Sequence, residues 1–173
     1  RNHSSAASDV YKRQIIGIST RLGFFLSVDK LFTCTESSFP IKSNKKMVIG
    51  HGVNIKRFPL RNKSKSYKKT LVTASRLTYR KNIHKMINLI HFMHENNMGD
   101  IFLTIYGSPL SYKDDLYEKY LNEIIKNLNL DKFIRILPAI EHSKLHSHYE
   151  NHNLYLNFSE TALDKSVLEA MCT

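Results

Sequence analysis

The chain is 173 residues long, 42% hydrophobic and strongly basic, with a formal net charge of +11 at pH 7. This composition excludes a largely disordered chain, and the charge suits nucleic acid, an anionic membrane surface or phosphorylated small molecules. No apolar run reaches the roughly 20 residues that cross a bilayer, and no signal peptide is visible. Two widely separated cysteines, Cys34 and Cys172, favour a reducing compartment. We expect a cytoplasmic protein, and the basic charge is compatible with peripheral contact to the inner face of the membrane.

The first fourteen residues differ from the rest of the chain. Residues 4–14, SSAASDVYKRQ, resemble translated sequencing-adapter read-through, and the alternative is a natural disordered N-terminus. We expect residues 1–14 to be artefact or disordered and to take no part in the fold. Short apolar runs at 31–35 and 47–50 predict two strands, and the polar, charged residues 60–69 predict a linker.

From Thr70 onward, strand and helix patterns alternate four times. Apolar runs predict strands over 70–74, 101–106, 133–137 and 154–158, and helical patterns predict helices over 82–96, from Ser111, over 141–151 and from Lys165. One helix shows an apolar stripe of Leu116, Tyr120, Leu121, Ile124, Ile125 and Leu128. Alternation with short links predicts an α/β fold, a Rossmann-like doubly wound parallel sheet with helices on both faces.

The loops at the carboxyl ends of these strands carry the candidate site, because ligands bind there in doubly wound sheets. Arg76 and Lys81 precede a helix, where cations and backbone amides suit a phosphate or diphosphate. Gly107 lets the backbone approach a ligand, and Glu160, Asp164 and Glu169 are carboxylates, of which one at this edge can accept from sugar hydroxyls. Each residue alone is common on a surface, but their occurrence at successive strand ends favours a phosphate-bearing ligand.

Four short motifs follow one another along the chain. They read HGVN…F over 51–58, ASRL…KN over 74–82, TIYG over 104–107 and TALDKSVLEAM over 161–171. In order and spacing they resemble the NGVDxxxF hinge, GRLxxxKN, the strand ending in G-x-G and TGSLDKxxLEAM of group-1 (family 4) glycosyltransferases of the GT-B fold. The resemblance covers roughly residues 31–173 and implies a truncated GT-B chain.

The resemblance implies a domain organisation. Residues 15–59 correspond to a remnant of the N-terminal domain with the hinge, and residues 70–173 to the nucleotide-sugar-binding domain. The implied activity is sugar transfer from a nucleoside-diphosphate sugar to a glycan or lipid-linked acceptor. The resemblance implies that the anomeric configuration is retained and that no cofactor or metal is needed. We expect this chain alone to be inactive, because the resemblance leaves the acceptor domain outside it.

The resemblance also implies roles for particular residues. Arg76 and Lys81 match the cations that hold the donor diphosphate and neutralise the leaving group. The implied donor-binding residues are Gly52, Gly107, Ala139, Ile140, Glu160, Thr161, Lys165 and Glu169. Glu169 matches the ribose-holding second glutamate of an E-x7-E motif, whereas Thr161 stands at the first glutamate's position and Glu160 lies one residue early. Asn54 and Ser75 are further departures from the family pattern.

The residues alone leave other interpretations open. His142 with His146, and His148 with His152, are spaced to share a helix face, but no third ligand accompanies them and we expect no metal. The alternative function is a basic nucleic-acid or phosphate-binding α/β module. Its aromatic residues should interleave with clustered arginines, whereas here they fall on predicted buried strands, so we expect no nucleic-acid partner. A dinucleotide enzyme would carry G-x-G-x-x-G, and residues 75–81 contain no glycine. The aromatic residues concerned are Tyr106, Phe133, Tyr155 and Phe158.

Overall fold

The structure is a computed structural model that describes residues 17–56, 58, 69–160 and 164–173. It divides into two compact units, with the division after Gly52. Residues 1–14 and all but the last residue of the predicted linker lie outside the described ranges, and the domain boundaries expected from the sequence stay predictions. No helix within the described ranges is long and apolar enough to cross a bilayer.

In the described part of the first unit, residues 17–52, there are one α-helix and two short strands. Helix α1 spans Ile18–Ser27, and strands β1, Leu31–Thr33, and β2, Lys46–Val48, pair in parallel. Phe24 is 3% exposed and packs edge-to-face on Phe39, with 5.0 Å between the ring centroids. Strand β1 lies within the predicted run 31–35, whereas β2 begins at Lys46, one residue before the predicted run 47–50, and ends at Val48.

The second unit is an open α/β sheet. Its elements are β3 Lys69–Ala74, α2 Ile83–Glu95, β4 Ile101–Tyr106, α3 Tyr112–Asn127, β5 Ile134–Leu137, α4 Leu145–Glu150, β6 Leu154–Tyr155 and α5 Lys165–Met171. The strand order is β5-β4-β3-β6, and every pairing is parallel. Short 3-10 turns at Tyr79–Lys81 and His142–Lys144 precede α2 and α4. This topology confirms the predicted Rossmann-like parallel sheet.

Helices cover both faces of this sheet. On one face the apolar sides of α2 and α3 pack on β3, β4 and β5 around residues such as Ile87, Ile105 and Leu121, all 0% exposed. On the other face, Tyr149 of α4 and Ala170 of α5 pack around Val72 and Tyr106. The alternation of side chains along each strand separates these two cores.

Two sequence predictions need correction. In α3 the buried aromatic residue is Tyr117, whereas Leu116 and Tyr120 are 47% and 44% exposed. Tyr117 turns inward because its hydroxyl bonds to the backbone N–H and the Nδ1 of buried His84. Strand β6 stops at Tyr155, and Phe158 lies beyond it, 36% exposed, because the Phe158 carbonyl accepts a hydrogen bond from Asn82.

Candidate functional site

The strand order reverses beside β3, since the chain proceeds outward from β3 to β4 and β5 and then returns to place β6 on the other side. Such a reversal leaves a crevice beyond the carboxyl ends of the two strands that flank it. The residues that follow β3 and β6 line this position. They include Arg76 and Lys81 on one side and Glu160 on the other, so the fold brings predicted site residues to one edge of the sheet.

The loop after β3 has a fixed conformation. Leu77 is 0% exposed, and its N–H donates to the Ser108 carbonyl at 3.4 Å. At the far end Asn82 adopts a left-handed conformation, with φ of 51°, just before α2 begins. Between these anchors Arg76 is exposed, whereas the Lys81 side chain is only 14% exposed. The two predicted cations therefore lie in different environments.

Lys81 forms an ion pair with Asp164. Its Nζ lies 2.6 Å from Oδ1 and 2.8 Å from Oδ2, and 3.3 Å from the Ser159 hydroxyl. The Asp164 side chain is 19% exposed, so both members of the pair are largely shielded from water. The pair joins the loop after β3 to the residue before α5.

Glu160 has a different set of partners. Asn82 donates from Nδ2 to the Glu160 carboxylate at 3.0 Å, and the Lys85 ammonium lies 3.6 Å from the same oxygen. The hydrogen bond from Asn82, helped by Lys85, lowers the pKa of Glu160. Glu160 is therefore an ionised, exposed carboxylate at the mouth of the crevice.

Gly107 is required by the packing of two loops. A Cβ at this position would lie 2.2 Å from the Ser75 carbonyl oxygen and 2.9 Å from Leu77 Cδ2. Real Cβ atoms do not approach a backbone atom so closely, so only glycine fits. The sequence predicts that Gly107 allows the backbone to approach a ligand. In the structure, the absence of a side chain at Gly107 allows the loop containing Ser75 and Leu77 to pack against it.

A pocket of about 240 Å³ opens where the loops after β3, β4 and β5 meet. Arg76, Gly107, Ala139 and Ile140, all predicted site residues, line it. Ser108 closes one side, where its hydroxyl accepts from the Ala139 N–H at 3.0 Å. The lining is mainly apolar and includes one arginine, which suits a flat base or sugar ring attached to an anion.

Glu169 lies on α5 and is 2% exposed. Its Oε1 is 2.7 Å from His142 Nε2 and 3.6 Å from the Lys165 ammonium. Lys165 and Glu169, both predicted site residues, are neighbours one turn apart on α5. His142 comes from the 3-10 turn after β5 and was not among the predicted site residues.

The structure shows fewer contacts for the remaining predicted site residues. Gly52 belongs to the first compact unit, and a Cβ there would meet no atom within 4 Å. Thr161 lies outside the described residues. Within the described ranges no three histidine, cysteine or acidic side chains form a metal cluster, and the expectation of metal-free chemistry stays a prediction.

The paired histidines each have a separate partner. His142 binds Glu169, His146 faces Glu150 at 3.2 Å, and His148 bonds the Tyr106 hydroxyl at 2.9 Å. His152 bonds the Thr104 hydroxyl at 3.1 Å. These contacts give every member of the two pairs a role within the fold of the second unit.

Sequence reasoning missed Asn82 and His142 as parts of this edge. Asn82 stands inside the ASRL…KN motif, directly after Lys81, so its place in the motif was a usable signal. His142 had only a helical spacing to His146, which does not indicate a carboxylate partner 27 residues away.

The family model for glycosyl transferases group 1 matches residues 55–172 of the chain. This match covers more than half of the sequence, and the chain belongs to the group-1 glycosyltransferase family. No curated protein sequence matches the chain.

Several solved structures share the fold. S. aureus TarM, in complex with fondaparinux, alpha-GlcNAc-glycerol and UDP, is 17% identical, with TM-score 0.66 over 99% of this chain and 33% of that chain. Anabaena HepE, in complex with UDP and glucose, is 16% identical, with TM-score 0.70 over 88% of this chain and 45% of the HepE chain. Sucrose-phosphate synthase from Thermosynechococcus elongatus is 16% identical, with TM-score 0.72 over 94% and 45%. The chain therefore spans between a third and a half of the length of these proteins.

Proposed function

We propose that this chain is the nucleotide-sugar-binding part of a glycosyltransferase that transfers a sugar from a nucleoside-diphosphate sugar to a glycan or lipid-linked acceptor. The observation that carries the proposal is the pocket at the carboxyl edge of the sheet. Exposed Arg76 lines it together with Gly107 and an apolar wall of Ala139 and Ile140. Family membership supports the class of reaction, and the nucleotides bound to TarM and HepE support the class of ligand.

Each residue of the proposed site has its own role in binding the donor. Arg76 binds the diphosphate, because a guanidinium matches two phosphate oxygens at once. Ala139 and Ile140 pack on the base, and Glu169 accepts from the ribose hydroxyls. Lys81 adds a second cation when the diphosphate takes the place of Asp164. These charges stabilise the leaving diphosphate without a metal ion.

In the proposed reaction the bond from the sugar C1 to the diphosphate oxygen breaks, and a bond from C1 to the acceptor hydroxyl oxygen forms. The acceptor proton passes to the leaving diphosphate, and the anomeric configuration is retained. We place this activity in the cytoplasm, at the inner face of the membrane when the acceptor is lipid-linked. Catalysis belongs to the whole protein, whereas donor binding can be tested on this chain.

The test is a thermal-shift titration of the chain with UDP, GDP and ADP. At a hundred times Kd, binding stabilises a folded protein by about 2.7 kcal/mol, which corresponds to a rise in Tm of several degrees. One nucleotide should raise the Tm of the original chain and of Arg80→Ala, a matched control, because Arg80 is exposed on the same loop but does not line the pocket. Arg76→Ala should abolish the rise. A Tm indifferent to all three nucleotides, or equal rises in both variants, would contradict the proposal.

A further inference from the structure

Glu169 is a buried carboxylate whose charge is compensated from one side. It is 2% exposed, and an ionised carboxylate this deep requires hydrogen bonds or a counter-ion. His142 supplies the short contact, at 2.7 Å, and Lys165 lies at 3.6 Å. Both partners meet the same oxygen, Oε1. Among the described residues, the side-chain hydrogen bond to this carboxylate is made at Oε1.

His142 is itself held in place on two sides. Its Nε2 faces Glu169, and its ring packs edge-to-face on Phe58, with 5.9 Å between centroids. Phe58 is 2% exposed and belongs to the core between the sheet, α4 and α5. A ring fixed by a buried aromatic side chain and a buried carboxylate has a defined orientation, although 45% of the His142 side chain is exposed.

From this geometry we infer that His142 is a positioning residue for ribose recognition. It donates from Nε2 to Oε1 and so fixes the carboxylate plane, which directs Oε2 toward the vicinal hydroxyls of a ribonucleotide. This inference rests on the proposed function, since it names a residue that acts through Glu169 at the same donor site. His142 does not touch the donor diphosphate or the reacting atoms, and its effect is on discrimination between ribose and deoxyribose.

The test compares ribonucleotides with 2′-deoxyribonucleotides. Dissociation constants are measured for UDP and dUDP, GDP and dGDP, and ADP and dADP on the 173-residue chain. A lost hydrogen bond to a charged group changes affinity by roughly tenfold or more. We expect the original chain to prefer the ribo form of its nucleotide by that factor. His142→Ala should bring the ratio of the two constants close to one.

Two polar variants distinguish loss of the contact between His142 and Glu169 from a general loss of folding. The amide nitrogen of Gln reaches the position of Nε2, so His142→Gln should restore the preference for ribose. The shorter side chain of His142→Asn cannot reach Glu169 and should behave like His142→Ala. His146→Ala is the matched control, because His146 also contacts Phe58 but faces Glu150 in place of Glu169, and it should keep the original ratio.

The outcomes separate the inference from the proposed function. If the original chain binds none of the nucleotides, the proposed function fails and the inference fails with it. If it binds one nucleotide without preference for ribose, the inference alone is overturned. A preference that persists in both His142→Ala and His142→Asn also overturns the inference, whereas its loss in these two variants and its return in His142→Gln support it.

Discussion

Lys81 and Asp164 are 83 residues apart in sequence, yet the Lys81 ammonium lies 2.6 Å from one Asp164 oxygen and 2.8 Å from the other. Their side chains are 14% and 19% exposed. An ion pair with this geometry and shielding contributes more than an exposed pair, because removing one partner takes the counter-charge from a side chain that is largely shielded from water. The pair therefore acts as a tether between the loop after β3 and the start of α5.

The strength of this tether can be measured by a double-mutant cycle. Lys81→Ala, Asp164→Ala and the double variant should give a coupling free energy of about 1–3 kcal/mol in urea unfolding, because each single variant removes one member of an ion pair that is largely shielded from water. The pair of Lys85 and Glu160 is the control. Its side chains are 54% and 58% exposed, so its coupling should lie below about 1 kcal/mol. Equal coupling in the two pairs would contradict the tether.

Asp164 also pairs with the Lys81 ammonium, the cation that is proposed to bind the donor diphosphate. Asp164→Asn should therefore strengthen binding of the cognate nucleoside diphosphate several-fold in isothermal titration calorimetry, since an anion no longer competes for Lys81. Glu160→Gln removes the same charge, but Glu160 is paired with Asn82 and Lys85, so its effect should be smaller. Weaker binding in Asp164→Asn than in the original chain would show that Asp164 positions Lys81 for the ligand.

Gly107 should tolerate no side chain. Gly107→Ala places a Cβ 2.2 Å from the Ser75 carbonyl oxygen, so the backbone of one loop must move. We expect a loss of about 1–3 kcal/mol or more in the free energy of unfolding. Gly52→Ala is the control, because a Cβ there meets no atom within 4 Å, and its effect should stay within about 0.5 kcal/mol. Similar unfolding midpoints for the two variants would refute the close approach.

Much of the second unit could be predicted from the sequence because its signals are local. Helix α2 carries apolar residues at helical spacing from Ile83 to Met93, and β4 is an apolar run that glycine and proline follow. Four such alternations fix a parallel sheet, and the sheet fixes which loops meet. The loops containing Arg76, Gly107 and Ile140 accordingly line one pocket.

The partners of the site residues could not be predicted in this way. Lys81 pairs with Asp164, and Glu169 with His142, through contacts between segments far apart in sequence, which the periodicity of the chain does not encode. The end of β6 shows the same limit. Leu154 to Phe158 is an apolar pattern typical of a longer strand, but the Phe158 carbonyl bonds to Asn82 of another loop. Long-range polar contacts here override the local preference.

Asn82 combines a left-handed backbone with two partly buried side-chain hydrogen bonds. Its Nδ2 donates to the Phe158 carbonyl at 2.9 Å and to Glu160 at 3.0 Å. Asn82→Gly should lose about 1–3 kcal/mol of unfolding free energy, and Asn82→Ala about 1 kcal/mol more, because alanine is strained at a φ of 51°. Exposed Asn97, with φ of 54°, is the control. Asn97→Gly should be nearly neutral, so an equal loss there would show that the backbone alone determines the effect.

His84 should make stability depend on pH. The side chain is 9% exposed, its Nδ1 lies 2.9 Å from the Tyr117 hydroxyl, and burial, together with Lys85, lowers the pKa of His84 below 6.5. The unfolded chain therefore binds a proton at a higher pH than the folded chain. The contribution to stability is complete above about pH 6.5 and is lost as the pH falls toward the lower pKa of the folded state. His84→Gln should show a smaller fall in Tm between about pH 7.5 and 5.5. His91→Gln, which changes a histidine elsewhere on α2, should keep the original fall, and a fall unchanged in His84→Gln would exclude His84 as its source.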